Sequence, residues 1–253
     1  MRIAVKVGSS TLCDNGVLSR DRMGVIVDFL SEFYEGNELI LVTSGAVAAG
    51  HSVVPSLSNK KTPERQALAA VGQAALMNIY AELFKRRGII VAQILIAKDD
   101  FENFSRSENA KIALNTLLAH KILPIINEND TVAIDELLRG DNDQLSAKAA
   151  FFFDADILVV LTDVDGYYDG NPRSDPNAKM FSRVSYVPSE ALEQSATPAD
   201  KFATGGIVTK LKAADFLLKR GKSMFLASGF DLTHARNFLK TGAYEKGTLF
   251  CAE

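Results

Sequence analysis

Short runs of Val, Ile and Leu recur along the chain, and a stretch of helical period separates each from the next. No other feature constrains the fold as strongly. The runs Ile3–Val7, Leu39–Thr43, Ile89–Ile96, Leu123–Ile126, Ile157–Leu161, Met224–Ala227 and Leu249–Cys251 have strand length. Few polar residues interrupt them, as expected of strands covered on both faces by helices. Val25, Ile26, Phe29, Leu30 and Phe33 follow the 3.6-residue period, with Asp21, Arg22, Asp28 and Glu32 on the opposite side. Comparable patterns predict helices over Thr62–Arg87, Ser105–Lys121, Asp141–Phe153 and Ile207–Arg220. The alternation implies an α/β fold, a three-layer αβα sandwich around a mostly parallel central sheet. The segment Gly166–Gly206, with Pro172, Pro176, Pro188 and Pro198, breaks the rhythm and reads as a functional lobe or hairpin.

Composition removes several classes. The 253 residues carry 28 Lys+Arg against 31 Asp+Glu, a net charge of −3 that lacks the basic footprint of a nucleic-acid binder. No apolar run reaches the ~18 residues of a membrane span, and the N-terminus reads directly into a strand rather than a secretion signal. Cys13 and Cys251 stand far apart, and His51, His120 and His234 are scattered singly. A disulfide scaffold, a zinc finger and a thioredoxin-like site all lack their residues. The expectation is a soluble, cytoplasmic protein that binds neither nucleic acid nor membrane.

In parallel sheets ligands bind beyond the carboxyl ends of the strands, so the residues there carry the functional reading. After the first strand comes Lys6-Val7-Gly8-Ser9-Ser10. Gly8 allows a tight turn, the N–H groups near Ser9 and Ser10 suit an anion, and Lys6 supplies a cation. After the second comes Ser44-Gly45, opening a small-residue helix. Gly45 and Gly50 have P-loop spacing, but His51 stands where that motif needs Lys. Their other reading is close helix-sheet packing. No G-x-G-x-x-G follows a strand, which removes the dinucleotide fingerprint. The fourth strand runs into Asn127-Glu128-Asn129-Asp130, and Gly140-Asp141-Asn142-Asp143 follows. Such residues are common in turns and caps. Their density instead suits a small zwitterion, Asn donating to its carboxylate and Asp accepting from its ammonium. Thr162-Asp163-Val164-Asp165-Gly166 begins like a calcium loop but lacks the later acidic ligands. Ala203-Thr204-Gly205-Gly206-Ile207-Val208-Thr209-Lys210 is a Gly-rich turn opening a helix, with N–H groups, a hydroxyl and a second Lys for a polyphosphate.

In this order the segments resemble the amino acid kinase family, specifically its glutamate-phosphorylating branch. The resemblance rests on Lys6–Ser10, Ser44–Gly50, Ala70-Val-Gly-Gln73, Asn127–Asp130, Gly140–Ser146, Thr162–Gly166 and Thr204–Lys210, and it runs from residue 1 to about 250. The Asn-Glu-Asn-Asp and Gly-Asp-Asn-Asp pair at Asn127–Asp130 and Gly140–Asp143 is its most specific part. Ala203 and Ile207 depart mildly from the family's usual Gly and Met. The resemblance implies a single kinase domain over 1–253, with the glutamate side in about 1–150 and the ATP side in about 151–253. It also implies that the chain ends too early for the C-terminal PUA domain of many relatives.

The activity implied is ATP + L-glutamate giving ADP + L-glutamyl 5-phosphate, the first step toward proline, with Mg²⁺ carried mainly on phosphate oxygens and waters. By the same resemblance Lys6, Asp143 and Lys210 are catalytic, Asp143 lying between the two lysines. Ser44, Asn127, Asp130 and Asn142 would hold glutamate. Lys6, Gly8, Ser9, Thr162, Asp163, Thr204, Gly205, Gly206, Ile207, Val208, Thr209 and Lys210 would hold ATP, and the Gly166–Gly206 lobe would reach the adenine side. A homo-oligomer (dimer or tetramer) and hand-over to glutamyl-phosphate reductase are also implied. The competing readings are a sister kinase acting on aspartate, N-acetylglutamate or UMP, and a silent amino-acid sensor on the same scaffold.

Overall fold

The computed structural model describes residues 1–58, 60–133, 142–172, 174–193 and 206–252. Its strands are β1 (Arg2–Val7), β2 (Cys13–Asp14), β3 (Val17–Leu18), β4 (Glu38–Val42), β5 (Ile90–Ile96), β6 (Ile122–Glu128), β7 (Ile157–Thr162), β8 (Tyr167–Tyr168), β9 (Met180–Phe181), β10 (Arg183–Val184), β11 (Ser223–Ser228) and β12 (Thr248–Phe250). The helices are α1 (Ser9–Leu12), α2 (Arg20–Tyr34), α3 (Ala46–Val53), α4 (Thr62–Lys85), α5 (Phe104–Ala119), α6 (Asp143–Phe152), α7 (Ser189–Glu193), α8 (Gly206–Leu218) and α9 (Thr233–Thr241).

Eight strands form one sheet in the order β10-β12-β11-β7-β1-β4-β6-β5. From β11 to β5 every neighbouring pair is parallel, whereas β12 runs antiparallel to β11. The side-chain period of two divides each central strand between two cores. Ile3, Val5, Leu39, Leu41, Val159 and Phe225 pack on one face with α2, α3, α4 and α9. Ala4, Ile40, Val42, Leu158, Val160 and Leu226 pack on the other with α5, α6, α7 and α8. These are the three expected layers.

Every strand read from the sequence is present, within one or two residues at the ends. The expectation of cover on both faces fails at β5, an edge strand on which Ile90 is 66% exposed. Within the irregular lobe, β8 and β9 form a small hairpin and β10 adds an edge strand to the main sheet. Among the described residues α4 alone is long and apolar enough to cross a membrane. It is instead a core helix, burying Leu68, Leu76, Tyr80, Leu83 and Phe84.

Helices α3 and α4 cross at unusually short range. A Cβ on Gly50 would lie 1.9 Å from the carbonyl oxygen of Leu68, and one on Gly72 would lie 1.8 Å from that of Ala46. No side chain fits at either position. Gly50 therefore serves helix-helix contact, not the helix-sheet packing expected. Gly45, at φ 103°, sits in the left-handed region that turns β4 into α3.

Candidate active site

The parallel strands end along one edge, and β1 lies at the point where the order reverses, with β4 on one side and β7 on the other. Lys6 shares the face of Ala4 by the period of two, which turns its side chain toward α6 and α8. There Nζ of Lys6 lies 2.6 Å from Oδ1 of Asp143, and Nζ of Lys210 lies 3.0 Å from Oδ2 of the same carboxylate. Lys6 is 3% exposed, Asp143 0% and Lys210 6%. Asp143 opens α6, where the helix dipole favours a negative charge. Lys210 also donates to the carbonyl of Gly206 one turn earlier, at 2.9 Å. Thr209 Oγ1 donates to Asp143 Oδ2 at 3.0 Å. Two ammonium groups are thus held together, out of water, by one carboxylate. Charges desolvated to this degree persist only in close, hydrogen-bonded pairs.

Gly8 has an extended backbone (φ −78°), so a left-handed turn is not what it provides. A Cβ there would stand 3.4 Å from Nζ of Lys6, and its role is space around that ammonium. Ser9 is exposed in the short helix that follows.

On the β4–β6 side lies a cleft of about 490 Å³, lined by Ser9, Ser44, Gly45, Asn127 and Asp130. Cys13, His51 and Arg65 line it too, and none of these three was anticipated from the sequence. The amide of Asn142 donates to the carbonyl of Thr43 and to Oδ1 of Asn127, each at 2.8 Å, and lies 3.2 Å from Oγ of Ser44. Asn127 in turn donates to Gln73 at 2.8 Å, and Gln73 to Gln93 at 2.9 Å. The sequence reading gave the amide donor of Asn142 to a substrate carboxylate. Protein acceptors occupy it instead, and the atom left buried without a partner is its acceptor, Oδ1. That atom suits an ammonium.

Asp130 is 7% exposed, and its Oδ1 has no hydrogen-bond partner. Burial, with the nearby Glu128 charge, pushes its carboxyl up to about 7, while the cation of Arg65 acts in the opposite direction. Glu128 faces Lys98 at 3.8 Å and is itself buried.

A second cleft of about 350 Å³ lies on the β7–β11 side, lined by Asp163, Val164, Asp165, Pro172, Ser228, Asp231, His234 and Lys246. Thr162, at the end of β7, is buried and donates to Asp163 at 3.0 Å. Gly206, Ile207 and Val208 form the start of α8. Thr204 and Gly205 lie outside the described residues, as do Gly140 and Asp141. Ser228, Asp231, His234 and Lys246 were not read from the sequence. They come from the chain's last fifth, where no motif marks them.

The amino acid kinase family model matches residues 1–228. A glutamate 5-kinase of Wolinella succinogenes is 50% identical, covering 98% of this chain and 97% of the relative. One of Leishmania donovani is 48% identical, covering 98% and 94%. One of Streptococcus pneumoniae is 43% identical and covers 97% of this chain, which spans 69% of that longer protein. Among solved structures, an isopentenyl phosphate kinase in a substrate complex superposes with a TM-score of 0.65 at 16% identity, over 98% of this chain and 99% of that one. A UMP kinase of Bacillus anthracis superposes equally well, with a TM-score of 0.65 at 16% identity over 100% and 96%. At such identity these two likenesses concern the fold.

Proposed function

The chain belongs to the amino acid kinase family, and from that premise we propose that it is an enzyme transferring the γ-phosphoryl group of ATP to the side-chain carboxylate of L-glutamate. The product, L-glutamyl 5-phosphate, opens the route to proline. One observation carries the mechanism: a single buried carboxylate, Asp143, holds Lys6 on one oxygen and Lys210 on the other. It stands where the strand order reverses, with one cleft to each side.

The chemistry asks for little else. A glutamate side chain has an ordinary pKa of about 4.3, so the nucleophile is already ionised at neutral pH and needs no general base. One carboxylate oxygen forms the new bond to phosphorus, the bond to the bridging oxygen breaks, and ADP leaves with the electron pair. No proton has to move. Catalysis then consists of alignment and neutralisation of the phosphoryl oxygens, for which Lys6 and Lys210 are the cations. Asp143 orients both.

We assign the glutamate side to about residues 1–150, with Ser44, Asn127, Asp130 and Asn142. The ATP side falls in about 151–253, with Thr162, Asp163 and Gly206–Lys210, joined by Lys6, Gly8 and Ser9 from the chain's start. The clefts support the partition in outline: Ser44, Asn127 and Asp130 line one and Asp163 lines the other, while Ser9, given to ATP by resemblance, lines the glutamate-side cleft. Thr204 and Gly205 complete the ATP assignment by resemblance alone. Mg²⁺ would enter on the ATP phosphates, which it binds while retaining waters. Among the described residues no three His, Cys, Asp or Glu side chains converge as an all-protein cage would require.

Exposed Val71, Ile90 and Leu95, on the packed elements α4 and β5, support a second copy of the chain as partner in a homo-oligomer. The product is an acyl phosphate, a mixed anhydride prone to hydrolysis, which favours prompt consumption by a glutamyl-phosphate reductase. The cytoplasm is the compartment proposed for both steps.

The test is hydroxylamine trapping. With ATP, Mg²⁺ and L-glutamate the protein should form γ-glutamyl hydroxamate. Aspartate, N-acetylglutamate or UMP should give no comparable ADP release. ADP release with UMP and none with glutamate would refute the reading.

A further inference from the structure

In the cleft assigned to glutamate one cation, Arg65, has no hydrogen-bonded partner among the described residues. Arg65 stands in the first turn of α4, and its Nε is buried without a hydrogen-bond partner. Among the described residues its side chain makes neither a hydrogen bond nor an ion pair. Arg65 as a whole is half-buried, but a guanidinium nitrogen withdrawn from water without an acceptor is costly, and an anion that meets it recovers the cost. Arg65 is nevertheless well placed. The Gly50–Leu68 and Gly72–Ala46 contacts fix α4 against α3. Its neighbour Gln66 donates to the carbonyl of Thr131, beside Asp130, at 3.4 Å.

L-glutamate brings two carboxylates. The side-chain carboxylate must meet the phosphorus near Lys6 and Lys210, which leaves the α-carboxylate to be bound elsewhere. The amide donors of Asn142 are already taken by Thr43 and Asn127, so that residue cannot serve it. The unpartnered Oδ1 atoms of Asp130 and Asn142 are acceptors and suit the α-ammonium. Among the described residues lining the cleft, Arg65 is the one Arg or Lys side chain, and it is the cation we set against that anion.

We infer that Arg65 is a specificity-determining residue whose guanidinium receives the α-carboxylate of the amino-acid substrate. This rests on the glutamate reading above and adds to it a reason for selecting a free α-amino acid over one blocked at its α-carboxyl. The influence of Arg65 on the ionisation of Asp130 agrees with the two groups sharing one small space.

The experiment compares L-glutamate with L-isoglutamine, which keeps the side-chain carboxylate but carries an amide in place of the α-carboxylate. The unmutated protein should favour L-glutamate by about thirtyfold or more in kcat/KM, the scale of losing one partner of a buried charge pair. Arg65→Gln should raise the KM for L-glutamate by a similar factor, with kcat and the ATP KM within about threefold, and barely alter turnover of isoglutamine. The preference then falls toward unity. Arg65→Lys, which keeps the charge without the two-pronged fork, should restore part of it. If Arg65→Gln fails to fold, Arg65→Lys and the unmutated protein's preference still decide the matter. A preference unchanged in either variant, or absent from the unmutated protein, overturns the Arg65 assignment alone. No turnover of L-glutamate by the unmutated protein overturns the glutamate reading and this inference with it.

Discussion

The two sides of Asp143 are built differently. At the centre, Lys6, Asp143, Lys210 and Thr209 already satisfy one another, with each carboxylate oxygen engaged and Lys6, Asp143 and Lys210 almost unexposed to solvent. In the cleft beside β4 and β6, Asp130 Oδ1 and Arg65 Nε are buried without partners, as is Oδ1 of Asn142 behind the lining residues Ser44 and Asn127. The first arrangement is preorganised for charge that develops only in the transition state. The second leaves hydrogen-bonding capacity that a zwitterionic ligand can complete, and leaving it empty costs stability. Substitutions should therefore separate turnover from binding.

The largest effects belong to the centre. Lys6→Ala and Lys210→Ala should each lower kcat by two to three decades, the usual cost of about 3–4 kcal/mol for one preorganised stabilising group. The glutamate KM should change little, and Arg at either position should rescue poorly because its planar fork does not reproduce a compact ammonium. Near-normal turnover of Lys6→Ala would remove that residue from the phosphoryl clamp.

Asp143→Asn comes next. The shape is kept, but two buried cations lose the charge that holds them, and a drift of about 1 Å is enough for a roughly hundredfold loss in kcat. Breaking a buried pair also costs about 3–5 kcal/mol, so the melting temperature should fall with it. Steady-state kinetics and a thermal melt on one preparation read both. A lowered melt with full activity would make Asp143 structural and erase the contrast between the two regions.

Much of this contrast was legible in the sequence, for identifiable reasons. Lys6, Thr43-Ser44, Asn127 and Thr162 sit at the ends of Val/Ile/Leu-rich strands, so finding the strands located them. Arg65 was not legible. An Arg after Pro63-Glu64 in a helix's first turn reads as a solvated face, whereas the packing of α4 on α3, close at Gly50 and Gly72, sets it beside the cleft. The donors of Asn142 were misjudged because their acceptors, Thr43 and Asn127, lie 99 and 15 residues away. Strand β10 is two residues long, and the residue at the N-cap of α9 is Leu232, whose side chain cannot cap, so the usual local signals were missing. His51 and His234 looked incidental for want of a neighbour in sequence, yet each lines a cleft.

Smaller effects belong to Asp130. Asp130→Asn should raise the glutamate KM about tenfold or more and leave the ATP KM nearly unchanged. In the unmutated protein that KM should fall as pH rises through about 7, because the carboxylate must ionise to hold an ammonium. Stability runs the other way. The folded pKa lies above the ordinary 3.8, so folding favours the protonated form, and stability present at low pH is lost as pH rises toward and through about 7. Asn removes that slope. The variant should gain in melting temperature relative to the unmutated protein at pH 8, by at least the roughly 2–4 °C that 1 kcal/mol produces in a chain of this size, and gain less at pH 5. A gain equal at both values would show that Asp130 is not held protonated.

Titration calorimetry of L-glutamate into Lys6→Ala and Asp130→Asn tests the division between turnover and binding most directly. Lys6→Ala, although nearly inactive, should bind L-glutamate with close to the unmutated affinity, while Asp130→Asn should bind it about tenfold more weakly or worse. Glutamate binding lost in Lys6→Ala and retained in Asp130→Asn would contradict that division.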